Sequence, residues 1–269
     1  MTAALALAAF SFIAAMAIGS VPFLVSAKNS GIQLNRLTAL AAGFLIGAAM
    51  LIAVPEGLLL YGETSGDTEY LHVGVALMAG FVFMLLMETF GFSHDIHEEH
   101  HDHVHEHGHS HVNHPTARVP YAVVGLTIHA VIDGMIIGIA LAQDALALSV
   151  SLILAITMHK LPAAFSVSAF SLHERHDRKR SYFDLTLFSL STPIAILIFY
   201  LLAADISTQW QGLATLFAAG TFLYVASVDV LPSIHEPRRS MGVVWPLLAG
   251  VAGSLVIALV VDMVLGHVH

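Results

Sequence analysis

Long apolar segments recur along this chain of 269 residues, and they limit what it can fold into. Hydrophobic residues make up 57% of the sequence and charged residues only 11%, which is more apolar surface than a soluble domain of this size can bury. Apolar segments of about 20 residues match the hydrocarbon thickness of a lipid bilayer. The pattern therefore predicts an all-α integral membrane protein.

Eight such segments can be drawn, and each is long enough to form one membrane-spanning helix. The first has no basic residue before it and is longer than the apolar core of a signal peptide, so we expect it to be retained. Spans one to eight are predicted at residues 3–27, 37–60, 71–92, 119–142, 145–172, 185–204, 211–232 and 243–265.

The basic residues predict how the chain is oriented. The connections from an odd-numbered to an even-numbered span hold nine of the ten Lys and Arg residues, whereas the other connections are short or acidic. Because basic loops remain in the cytoplasm, we expect both termini to lie on the outside. The nine residues are Lys28, Arg36, Arg118, Arg175, Arg178, Lys179, Arg180, Arg238 and Arg239.

Spans two and seven resemble each other although they run in opposite directions. Gly43 precedes Pro55 by 12 residues in span two, and Gly220 precedes Pro232 by 12 residues in span seven. This similarity predicts an inverted repeat, a symmetry that many transporters have. The eight transmembrane helices would then form a 3+2+3 arrangement, with spans four and five at the centre.

This arrangement divides the chain into five parts. The parts are transmembrane helices 1–3 (residues 1–92), a cytoplasmic His-rich loop (93–118), the central helices 4 and 5 (119–172), a basic cytoplasmic loop (173–184) and transmembrane helices 6–8 (185–269). The absence of cysteine excludes disulfides and thiolate metal sites, and the formal net charge of −9 gives no reason to expect a nucleic acid partner.

The two central spans carry ionisable residues near their midpoints, where a charged side chain costs about 2.5–3.5 kcal/mol. His129 and Asp133 are four residues apart in span four and so share one face of a helix, and span five contributes His159. Two imidazoles and a carboxylate form a three-ligand set with an open position, which suits Zn²⁺ and also Fe²⁺, Mn²⁺ and Cd²⁺. The alternative is that these groups only join the helices by hydrogen bonds.

Four further polar residues are candidates for the ion pathway. Glu56 lies near the outer end of span two, where it would attract cations or simply occupy the interface. Asp229 lies deeper, in span seven, as a pathway ligand or a helix-packing residue. His235 and Glu236, at the inner end of span seven, are candidates for lining an exit.

Ten histidines alternate with Asp and Glu in the predicted cytoplasmic loop between spans three and four. Such a tract is typical of a flexible, multidentate chelator that captures or senses metal. The alternative is a polar linker, and exporters and chaperones carry similar tracts. The ten are His94, His97, His100, His101, His103, His105, His107, His109, His111 and His114.

The motifs of the central spans resemble those of a known family. His-x-x-x-Asp-Gly at 129–134 and His-Lys-x-Pro at 159–162 look like the signature of the ZIP (Zrt/Irt-like, solute carrier 39) metal transporters, in particular the branch with HAxxDG and HKxPAA. Val54-Pro55-Glu56 and residues 224–232 are similar to this family's second and seventh spans. The resemblance covers essentially the whole chain. It implies eight spans, outward termini, import toward the cytoplasm and a metal site on spans four and five.

Three positions depart from the pattern of many family members. Ala130, Lys160 and Ala163 stand where those members have further polar or metal-binding side chains. An ammonium group cannot bind a metal and repels a nearby cation. We therefore expect one ion rather than two at the central site, with Lys160 donating a hydrogen bond to Asp133.

Together these features predict transport of Zn²⁺ or a similar divalent ion, with no enzymatic activity and no catalytic cofactor. An intramembrane zinc hydrolase is one alternative, but no His-Glu-x-x-His motif lies within the predicted spans. A cation-diffusion-type exporter is another, although it should have about six spans and a soluble metal domain. A sensor or receptor role also stays open.

We expect a multi-pass membrane protein. We favour the cell membrane, plasma or bacterial inner, over an organelle membrane. The expected partners are the divalent ion and the lipid bilayer, with a homodimer left open and no nucleic acid.

Overall fold

A computed structural model describes residues 1–26, 31–62, 70–89, 121–142, 146–202, 206–230 and 240–265. Nearly all of these described residues are helical, and none of them lies in a β-strand. The α-helices are α1 (Thr2–Gly19), α2 (Val21–Ser26), α3 (Gly31–Ala48), α4 (Val54–Gly62), α5 (Tyr70–Met87), α6 (Tyr121–Ala142), α7 (Leu146–Arg175), α8 (Arg178–Leu202), α9 (Thr208–Tyr224) and α10 (Ser240–Leu265).

The helices follow the predicted spans and confirm an all-α membrane protein. Within the described residues, six helical stretches are long and apolar enough to cross a bilayer. Those stretches are Thr2–Val25, Leu34–Gly62, Ala122–Ala142, Arg178–Leu202, Thr208–Val228 and Gly242–Met263. Helix α7 packs against α1, α3, α6, α8 and α10.

Spans two and seven each contain a π-helical segment at a matching place. The first, Ala49–Ala53, joins α3 to α4, and the second, Val225–Val230, follows α9. Pro55 and Pro232 come just after these segments in the sequence. Proline has no N–H and clashes with the carbonyl four residues before it, so the regular hydrogen-bond ladder cannot continue unchanged through that turn.

Glycine residues allow two helix pairs to pack with their backbones in contact. Gly43 of α3 faces Gly250 of α10, while Gly80 of α5 and Gly220 of α9 lie at the crossing of those two helices. A Cβ atom on any of these four glycines would collide with a backbone carbonyl of the facing helix. Small residues permit this close approach between membrane helices, where van der Waals packing drives association.

A buried ion pair joins α7 to α8 near the turn between them. Arg175 Nε and Nη2 donate to the carboxylate of Asp184 at 2.6 and 3.2 Å, and Ser171 Oγ donates to the same carboxylate at 2.6 Å. The intervening turn contains only His176 and Asp177. Most of residues 173–184, predicted as a loop, are therefore helical, because their polar groups pair with each other.

Candidate metal site

Three side chains from the two central helices meet inside the protein. His129 Nε2 lies 3.3 Å from Asp133 Oδ1 and 3.3 Å from His159 Nε2, and His159 Nε2 lies 3.5 Å from the same Asp133 oxygen. The three residues are 2%, 4% and 2% exposed. The predicted ligands on α6 and α7 are thus brought together, and among the described residues they form the one group of three or more His and acidic side chains spaced to hold a metal ion.

The spacing of these atoms fits the coordination of zinc. Zn–N and Zn–O bonds of about 2.0–2.1 Å in a tetrahedron place neighbouring ligand atoms about 3.3–3.4 Å apart. His129, Asp133 and His159 therefore occupy three corners of a tetrahedron of the right size. The fourth corner is available to water or to another ligand.

The two histidine rings contact each other and Asp133 through Nε2, whereas their Nδ1 atoms lack hydrogen bonds within the described residues. The Nδ1 atoms of His129 and His159 are both buried, and neither has a hydrogen-bond partner within the described parts of the chain. Phe222 of α9 packs against the His129 ring, with the ring centroids 3.9 Å apart. The sequence reasoning did not identify Phe222, because no spacing in the sequence links α9 to α6.

Lys160 does not bind Asp133, and that part of the prediction is wrong. Its Nζ atom donates to Thr192 Oγ1 of α8 and lies 4.6 Å from the centroid of the Phe188 ring. Thr192 Oγ1 in turn donates to the carbonyl oxygen of Ala130 at 2.7 Å. The ammonium group points to α8 because a neutral hydroxyl there, already anchored to α6, offers an acceptor inside the protein.

Gly134, the last residue of the span-four motif, makes this arrangement possible. A Cβ atom at Gly134 would clash with the backbone of Thr192 and with the side chain of Ala195. The glycine therefore lets α8 approach α6 closely enough for Thr192 to contact both Lys160 and the Ala130 carbonyl. Thr192 was not predicted, since no pattern distinguishes it from the other hydroxyl residues of span six.

Glu56 of α4 is buried near two of the three candidate ligands, His159 and Asp133. It is 9% exposed, and it interacts electrostatically with His159 and Asp133. Its carboxylate is nevertheless not one of the atoms of the three-ligand group. Because its side chain is buried, Glu56 lies inside the helix bundle.

The remaining predicted residues are described only in part. Asp229 lies in the second π-helical segment, and its side chain is outside the described part of the structure. His235, Glu236 and all ten loop histidines also lie outside the described residues. Glu88, just after α5, accepts a hydrogen bond from Tyr224 at the end of α9.

Comparison with known proteins identifies the family of this chain. The family model described as ZIP Zinc transporter matches residues 92–260. Zinc transporter ZIP9-A of Xenopus laevis is 30% identical over 93% of this chain and 93% of its own. Zinc transporter ZIP9 of Macaca fascicularis is 34% identical over 54% of this chain and 67% of its own, and Zinc transporter ZIP2 of Homo sapiens is 30% identical over 50% and 44%. This multi-pass helical membrane protein belongs to the ZIP zinc transporter family.

Proposed function

We propose that the chain transports Zn²⁺, or a similar divalent ion, across a membrane through His129, Asp133 and His159. The observation that carries this proposal is the tetrahedral spacing of three buried ligand atoms at the centre of a helical membrane protein. The relatives named as zinc transporters support Zn²⁺ as the substrate, and their names indicate a carrier and not an enzyme. Fe²⁺, Mn²⁺ and Cd²⁺ accept similar ligands and are further candidate substrates.

The lack of hydrogen bonds at Nδ1 of both histidines, within the described residues, favours a carrier over a protein that keeps its metal permanently bound. Metal-binding histidines usually donate their second ring N–H to a partner, and losing that partner costs about 10–100-fold in affinity. His129 and His159 have no such partner in the described parts of the chain. Weaker binding suits an ion that has to leave the site again.

The surroundings of the ligands support one ion per central site. Lys160, the residue after His159, is 2% exposed and directed to Thr192, so a positive group is buried next to one of the proposed ligands in the sequence. Ala130 and Ala163 are buried beside the site and have no side-chain donor atom for a metal. A second cation would therefore meet repulsion and find few ligands.

The proposed architecture is eight spans in a 3+2+3 inverted repeat. In such a repeat, span two corresponds to span seven and span three to span eight. The crossing of span two (α3) with span eight (α10) at Gly43 and Gly250 then corresponds to the crossing of span seven (α9) with span three (α5) at Gly220 and Gly80. The two π-helical segments are related by the same exchange. With basic loops in the cytoplasm, both termini face outward and transport runs into the cytoplasm, across a cell membrane or an organelle membrane.

We also propose the five-part division of the chain given above and a role for the remaining polar residues in the ion pathway. The His-rich loop would capture or sense the arriving ion, and Asp229, His235 and Glu236 would line its exit. A homodimer stays a prediction, and the mass of the detergent-solubilised protein measured by light scattering tests it.

Radiotracer uptake into proteoliposomes tests the proposed transport. The purified chain should carry Zn²⁺ without any other component, and a panel with iron, manganese and cadmium ions ranks the substrates. Metal-dependent hydrolysis without ion movement would support the hydrolase alternative. Ion movement that requires loading from the side of the His-rich loop would support an exporter.

A further inference from the structure

The buried Glu56 carboxylate beside the metal site lacks a hydrogen bond to any described residue. Both carboxylate oxygens of Glu56 are shielded from solvent, and neither has a hydrogen-bond partner among the described residues. Removing a carboxylate from water without a compensating partner is costly, so native proteins rarely leave one in this state. A hydrogen bond that merely joins helices does not explain Glu56, because no such bond is present.

The packing around Glu56 keeps it close to two of the three ligands. The next residue, Gly57, lies so near α9 that a Cβ atom there would meet Leu216 and the carbonyl of Gly212, which fixes α4 against α9. The charges of His159 and Asp133 both act on Glu56. Asp133 is one turn further along α6 than His129, which in the proposed orientation is the outer side of the site.

We propose that Glu56 binds the transported ion on the outer side of the site, together with Asp133 and His159, before His129 completes the three-ligand set. This inference rests on the proposed transport function and adds a fourth protein ligand to it. Two carboxylates close together repel each other, and a divalent cation between them removes that repulsion and satisfies the unpaired oxygens. The Glu56 carboxylate therefore supplies an entry ligand that the signature motifs of spans four and five do not contain.

Glu56→Gln tests whether the carboxylate matters for loading, because it keeps the shape of the side chain. We expect the apparent KM for Zn²⁺ uptake to rise at least tenfold, with Glu56→Asp closer to the original value. Asp262→Asn removes an exposed carboxylate of α10 and is the matched control, whose KM should not change. An unchanged KM for Glu56→Gln would overturn the proposal.

Glu56→Cys tests direct binding, because the chain contains no other cysteine. Added Cd²⁺ should produce a thiolate-to-metal charge-transfer absorption in the purified full-length variant, and the histidines of the loop cannot produce this band. Adding His159→Ala should weaken the band, and Leu59→Cys, on an exposed position of the same helix, should give none.

The two failures can be told apart. Absence of the band in Glu56→Cys, while the unmodified chain still takes up Zn²⁺, would overturn Glu56 as a ligand and leave the proposed transport function standing. Absence of uptake by the unmodified chain would instead overturn the proposed function.

Discussion

His129, Asp133 and His159 each offer one ligand atom to the proposed site, so the loss of any one leaves two of these three. Two neutral or singly charged donors hold a divalent ion poorly in a buried position. Because loss of an outer partner alone costs about 10–100-fold in affinity, we expect each alanine variant to lower Zn²⁺ uptake by about 100-fold or more.

Proteoliposome uptake measures this first prediction at equal amounts of inserted protein. Thr127→Ala is the matched control, because Thr127 lies on the same helix and its hydroxyl bonds only to the Val123 carbonyl. Uptake at the original rate in all three ligand variants would show that the ion takes another route.

We expect Thr192 to hold the Lys160 side chain in place, although it is not part of the signature motifs. Thr192→Val keeps the shape but removes the acceptor of the Lys160 hydrogen bond and the donor to Ala130. A buried charged group left without its partner costs about 1–3 kcal/mol or more, so the variant should unfold at a lower temperature and transport more slowly.

Thr192→Ser restores the hydroxyl and should recover both properties. Thermal unfolding in detergent, read alongside uptake, measures this second prediction. Equal behaviour of the Val and Ser variants would mean that Lys160 does not depend on Thr192.

The sequence predicted residues that are related within a helix more successfully than residues related across helices. His129 and Asp133 could be identified because a spacing of four residues places them on one face. Thr192 and Phe222 could not, since their positions beside Lys160 and His129 depend on how α8 and α9 pack. The bond expected between Lys160 and Asp133 was wrong for the same reason: adjacency of Lys160 to His159 does not determine the direction of its side chain.

At the scale of the helices, apolar length predicted the six described stretches that can cross a bilayer, but it did not predict internal irregularities or polar ends of helices. The positions of Pro55 and Pro232 predict a repeat, but they do not by themselves predict π-helical geometry. The extension of α7 to Arg175 and the start of α8 at Arg178 depend on the buried pair between Arg175 and Asp184. No hydropathy profile contains that pairing.

The buried pair should contribute strongly to stability. Removing one partner of a buried ion pair leaves the other charge unpaired and typically costs about 3–5 kcal/mol. We therefore expect Asp184→Ala to lower the free energy of unfolding by about this amount. Arg180→Ala is the control, because it removes the more exposed pair with Asp177, at 3.4 Å, and such pairs contribute about 0–1 kcal/mol.

Chemical unfolding in detergent compares the two variants. A similar small loss for both would show that α7 and α8 are held together elsewhere.

The His-rich loop is expected to tune transport without being required for it. Deleting residues 97–111 removes most of its histidines but none of the residues of spans four and five. Zn²⁺ uptake should remain measurable, with a changed apparent affinity or a changed response to metal. Complete loss of uptake by a well-inserted deletion variant would make the loop part of the obligatory route.

At the scale of the whole molecule, the proposed single-ion site predicts how many ions the protein carries at a time. The same deletion variant, purified and saturated with Zn²⁺, should contain one bound ion per chain, because Lys160, Ala130 and Ala163 offer no ligand atoms to a second ion. Metal analysis together with protein quantification gives the ratio. Two ions per chain, both lost in His159→Ala, would contradict the single-ion site.

The missing hydrogen bonds at the two Nδ1 atoms also limit how long an ion stays in the protein. Loading at about 10⁸–10⁹ M⁻¹ s⁻¹ onto a nanomolar site would give a dwell time of about 1–10 s. If the lack of hydrogen bonds at Nδ1 lowers the affinity about 10–100-fold and the loading rate is unchanged, the dwell time falls by the same factor. A hydrogen-bond acceptor introduced at Nδ1 of His129 or His159 would therefore make the protein bind the ion more tightly and transport it more slowly.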